Sequence, residues 1–112
     1  MSFLRRVLPL LVVCLATSAL AQTTGTIAGR VADSSGAALP GVTVEAKSPA
    51  LQGTRVAVSD PRGDYRLALL PPGVYSVAYR LEGFAPETRR GITVSLGKET
   101  PLDTAMKPAA TG

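Results

Sequence analysis

The chain has 112 residues, a formal net charge of +4, one cysteine, and neither histidine nor tryptophan. That length holds one domain and not two, and a chain with no histidine lacks the usual ligands and bases of zinc and triad chemistry. The first residues do not read as part of the domain. Arg5 and Arg6 precede an apolar run from Val7 to Leu15, and small residues end at Ala19-Leu20-Ala21. A charged start, a short apolar middle and an A-x-A site are the layout of a secretory signal peptide, expected here over residues 1–21. The run is shorter than the roughly 20 residues of a membrane span. Val13 before Cys14 argues against a lipid anchor, and the residues around Arg5-Arg6 fit a twin-arginine signal poorly. Cleavage after Ala21 would leave 91 residues without cysteine, carrying ten basic and eight acidic side chains. That balance does not suggest a nucleic-acid binder. The expected organisation is a signal peptide (1–21), one domain (22–107) and a disordered tail (108–112).

After Gln22, short runs alternate apolar and polar residues between clusters of Gly, Pro and Asp, the pattern of closely spaced strands. In chain order, Thr26–Ala32 turns Ile27, Gly29 and Val31 inward and Arg30 outward. Val42–Lys47 turns Val42, Val44 and Ala46 inward. Thr54–Ser59 is expected to bury Val56 and Val58 and to expose Arg55. Asp64–Leu69 is expected to bury Tyr65, Leu67 and Leu69. Val74–Arg80 buries Tyr75, Val77 and Tyr79, and Ile92–Leu96 buries Ile92, Val94 and Leu96. A last run offers Leu102, Thr104 and Met106. No 3.6-residue period competes with this reading. Asp33-Ser34-Ser35-Gly36 and Asp60-Pro61-Arg62-Gly63 put Asp first and Gly last, as tight turns require. Pro40-Gly41 and Leu70-Pro71-Pro72-Gly73 punctuate two further boundaries. A β-carbon at Gly63 or Gly73 is expected to strain its turn. The expected fold is all-β: a seven-stranded Ig-like or prealbumin-like β-sandwich, with a small barrel as the alternative.

The punctuation resembles a known family. Gly29-Arg30-Val31-Ala32-Asp33, Gly36 and Leu39-Pro40-Gly41-Val42 are similar to the opening of carboxypeptidase regulatory-like domains. Asp60-Pro61-Arg62-Gly63-Asp64-Tyr65 resembles that family's D-x-x-G-x-Y segment, Leu70-Pro71-Pro72-Gly73-Val74-Tyr75 its L-P-P-G-x-Y segment, and Gly83-Phe84 its G-F corner. The resemblance runs from about Gly25 to Met106. It implies a prealbumin-like sandwich and a non-catalytic accessory role, as at the N-terminus of bacterial TonB-dependent outer-membrane receptors. A receptor would continue beyond Gly112 into a plug and barrel, so a stand-alone relative and part of a larger receptor both stay open.

No catalytic, cofactor or metal site is expected. Lys47, Lys98 and Lys107 have no serine to activate, and Asp60 and Asp64 belong to a turn and a strand start rather than an acid–base pair. Asp33, Asp60 and Asp64 do not have the spacing of a calcium loop. A Lys–Asn cross-link is ruled out by the absence of Asn. For binding, the candidates are Arg80, Phe84, Arg89 and Arg90, as a surface for a protein partner at the outer membrane or in the periplasm, or for a polysaccharide. The three tyrosines are expected in the core with their hydroxyls at the rim, which leaves Phe84 as the ring for a sugar. The alternative function is therefore a small carbohydrate-binding module at the cell surface. The product is expected to be periplasmic, outer-membrane-associated or secreted.

Overall fold

The alternating runs become eight strands in the computed structural model, which describes residues 23–110. They are β1 (Gly25–Asp33), β2 (Thr43–Lys47), β3 (Arg55–Val58), β4 (Asp64–Leu70), β5 (Gly73–Arg80), β6 (Glu87–Val94), β7 (Glu99–Pro101) and β8 (Thr104–Met106). One sheet runs β3-β2-β5-β6, antiparallel throughout. In the other, β4 lies antiparallel to β1, and β7 and β8 follow one another in parallel along β1's opposite side. The inner faces meet through Ile27, Val31, Val42, Val44, Ala46, Leu67, Leu70, Val77, Val94 and Met106. The architecture is the expected all-β sandwich, with eight strands in place of seven. The proposed signal peptide lies outside the described residues.

Four details differ from the sequence reading. In β3 the parity is inverted: Val56 and Val58 stand 52% and 61% exposed while Ala57 packs on the core. Arg55, expected outside, instead lies half-buried and donates from its guanidinium to the Leu69 carbonyl, 3.3 Å away. In β4 the register slips between the Ile27–Leu67 and Gly25–Leu70 pairs. Leu69 takes φ +58° and turns out to solvent, and Leu70 fills the core in its place. Third, β6 starts at Glu87, so Arg89 and Arg90 are strand residues, and Leu96 lies exposed in the turn after it. Last, β7 was not legible as a strand at all.

The turns follow the chemistry of their residues. Asp33 Oδ1 accepts from the Ser35 and Ala37 amides and the Ser35 hydroxyl. Asp60 Oδ1 accepts from the Arg62 and Asp64 amides, at 2.9 Å each, while the Gly63 amide closes on the Asp60 carbonyl. Gly73, by contrast, has nearly extended backbone. Its demand for glycine comes from the Ala50 methyl, 2.9 Å from where a β-carbon would sit. Buried Ser59 donates to the Leu39 carbonyl and accepts from the Val42 amide, tying the Pro40-Gly41 bend to β3. Between β7 and β8 the chain leaves β1. There the Leu102 amide reaches the Ala28 carbonyl, and Asp103 Oδ1 replaces a backbone acceptor for the Arg30 amide at 2.9 Å. Residues 108 and 109, read from the sequence as tail, meet the Gly83-Phe84 corner. Phe84 bridges Pro108, and the Ala109 amide donates to the Gly83 carbonyl.

Candidate functional site

Of the four candidate surface residues, the structure brings two together. Arg80 ends β5, the Phe84 amide closes a turn on the Leu81 carbonyl, and a hollow of about 380 Å³ forms between them. Gly41, Thr43, Glu82 and Pro86 complete it. The corner is held from outside by the Ala85 amide on the Lys107 carbonyl, 2.8 Å. Phe84 is half-buried against the core, so it offers part of its ring and not a free face. Arg89 and Arg90 lie elsewhere, in the middle of the edge strand β6. There Arg89 sits opposite Val77 and Arg90 follows at an irregularity beside Gly91.

The tyrosines also differ from expectation. Tyr65 and Tyr79 cross edge to face, with ring centroids 5.7 Å apart. Their hydroxyls lie 2.7 Å from each other inside the core, not at the rim. Tyr65 donates to the Leu102 carbonyl, so its one proton is spent there and Tyr79 must be the donor within the pair. Tyr75 alone reaches outward, donating to the Pro71 carbonyl. Burial, more than any neighbouring group, pushes all three hydroxyls above the ordinary tyrosine value of 10.0. Because the folded chain resists ionisation, the unfolded chain loses its phenolic protons first, and stability is lost as pH rises through 10. The urea midpoint is expected to hold to about pH 9.5 and then fall. A Tyr65→Phe/Tyr79→Phe chain should show a visibly flatter alkaline limb.

A second hollow, of about 710 Å³, was not anticipated. It extends over the outer face of β1, β4 and β7 to the flank of β3, lined by Arg30, Ala57, Val58, Asp60, Asp64, Arg66 and Asp103 among others. Arg66 reaches Glu99 at 2.6 Å. The outward parity of Arg30, Asp64 and Arg66 was readable from the sequence, but only the pairing of β1 with both neighbours makes them one surface. Among the described residues, no cluster of side chains could hold a metal ion.

The carboxypeptidase regulatory-like domain model matches residues 26–107, all of the two sheets but their first residue. The chain belongs to that family. The TonB-dependent transporter Oar of Myxococcus xanthus is 37% identical over 97 residues, which is 86% of this chain and 9% of the transporter. This chain thus spans about a tenth of that relative's length. The TIE protein of Bacillus anthracis is similar in structure, with a TM-score of 0.63 at 18% identity, covering 78% of this chain and 17% of that one. So is a candidate carbohydrate-binding protein of Bacteroides uniformis, with a TM-score of 0.60 at 17% identity over 74% of this chain and 41% of that one. At such identities these two likenesses are of fold alone. Among the described residues no helix is long and apolar enough to cross a membrane.

Proposed function

We propose that the chain is an exported, non-catalytic accessory module that works by binding a protein at the outer membrane or in the periplasm, in the manner of the N-terminal domain of a TonB-dependent receptor. The observation that carries this reading is its 37% identity to a small part of a far longer TonB-dependent transporter. The side chains agree. Asp60, the nearest thing to a catalytic carboxylate, spends its Oδ1 on two backbone amides of its own turn. Arg80, Phe84, Arg89 and Arg90 stay the proposed contact residues, now as two separate patches. The test is in-cell cross-linking of the tagged full chain, followed by blotting of periplasmic, outer-membrane and secreted fractions. A reproducible adduct with an envelope protein is expected. A cytoplasmic chain, or an exported chain that forms no adduct, overturns the reading.

The hollow shared by Arg80 and Phe84 favours one alternative, a polysaccharide ligand. An aromatic edge beside Arg80, Glu82 and Thr43 combines apolar contact with hydrogen-bonding groups, as sugar recognition requires. That reading expects retardation on polysaccharide gels, abolished in Phe84→Ala at unchanged fold. Equal mobility on a broad panel ends it.

A further inference from the structure

A two-sheet sandwich has open edges, and each must be blunted or it will pair. Three of the four here are blunted. On β6, Glu87 and Arg89 stand opposite the core residues Tyr79 and Val77, the register breaks beside Gly91, and the Thr100 hydroxyl caps the Thr93 carbonyl. On β4 the register slips at Leu69, whose carbonyl takes the Arg55 guanidinium, and the Asp60 amide occupies the Asp64 carbonyl. The remaining edge is two three-residue strands, and Pro101 within it has no amide proton.

The edge of β3 is tied down only at its first residue, where Arg55 reaches the Leu69 carbonyl. It pairs only with β2, and the Ser59 amide on the Val42 carbonyl sets the phase of that pairing. In an antiparallel ladder residues alternate between facing the partner and facing away. Arg55, Ala57 and Ser59 therefore face β2, and the amides and carbonyls of Val56 and Val58 point away from it. Both valine side chains are exposed on the outer face. Adjoining Val58 is the larger hollow, where Asp60, Asp64 and Asp103 face Arg30 and an Arg66 matched by Glu99, with Arg62 beside Arg30 and Asp64 in the neighbouring hollow, so the carboxylates stay in excess. This is an acidic recess in a domain whose net charge is otherwise positive.

We infer that the free edge of β3 receives an extended segment of another protein, whose backbone pairs with Val56 and Val58 and whose lysine or arginine enters the acidic recess. The inference rests on the accessory-module reading and names the chemistry of its partner. Main-chain pairing supplies the attachment and the recess the selectivity. A second copy of the chain fits less well, since β3 against β3 would bury two valines per copy, far short of the roughly 1,200 Å² of a stable interface.

The test is amide NMR of the full chain titrated with a short synthetic peptide alternating valine with lysine and threonine. Shifts and slowed exchange are expected at Val56 and Val58. Binding should weaken several-fold when glutamate replaces lysine, and the shifts should vanish both for an N-methylated peptide and in Val58→Pro. The N-methylated probe leaves the protein untouched, so it decides even where Val58→Pro perturbs the fold. Shifts at β4 or β6 instead, no shifts at all, or an equal response to the glutamate peptide overturn the inference. So does concentration-dependent protection of Val56 and Val58 without peptide, which would mean a second copy. Envelope adducts that persist in Val58→Pro would leave the accessory-module reading standing and remove this edge from it.

Discussion

Gly29→Val is expected to cost about 3 kcal/mol or more, a large part of the stability of a domain this small. Gly29 sits on the inward side of β1 where the chain crosses from β7 to β8. A β-carbon there would overlap the Leu102 carbonyl oxygen and lie 2.5 Å from the carbonyl carbon. Neither atom can withdraw. The Leu102 amide is bonded to Ala28, its carbonyl receives the Tyr65 proton, and its side chain is buried. The collision comes from the β-carbon itself, so Gly29→Ala should lose most of the same stability. Urea unfolding followed by circular dichroism measures both. A midpoint within experimental error of the parent chain would mean that Leu102 does not press on β1.

Gly63→Val is expected to be the next most damaging, at about 2–3 kcal/mol. Two causes coincide there. Its φ of +82° disfavours any residue with a β-carbon, and that carbon would overlap the Val31 carbonyl oxygen and stand 3.3 Å from the Leu39 amide nitrogen. Gly41 separates the two causes, because it has φ +78° with nothing within 4 Å of its absent β-carbon. Gly41→Ala should therefore cost only about 1 kcal/mol, the conformational share alone. If Gly41→Ala and Gly63→Ala melt together, the close approach of Val31 contributes nothing.

Where the local pattern and the tertiary structure agreed, the sequence was a sufficient guide. The alternations over Val42–Lys47 and Val74–Arg80 identified inner faces that the structure keeps, because neither strand breaks its parity. Asp60 and Gly63 were legible because their turn is satisfied within five residues. The failures have a common cause in long-range partners. Val56-Ala57-Val58 has apolar residues on both faces, so its parity is decided by β2 and by the Ser59 hydroxyl rather than by β3 itself. Leu69 and Leu70 are identical in kind, and a slip against β1 chooses between them. Thr100-Pro101 carries no strand signal and is a strand because β1 lies beside it. The candidate site was half legible for the same reason. Arg80 and Phe84 are near in sequence and meet, whereas the recess of Arg30, Asp64 and Asp103 exists only through the pairing of distant strands.

The parallel placement of β7 and β8 along β1 has a mechanical consequence. Parallel strands put the start of β1 and the end of β8 at opposite ends of one seam. Tension drawn between those ends does not peel the ladder open bond by bond. It slides the strands lengthwise past one another and loads the whole row of hydrogen bonds from Thr26 to Asp33 at once, so the domain is strongest along the line through which a tether would pull.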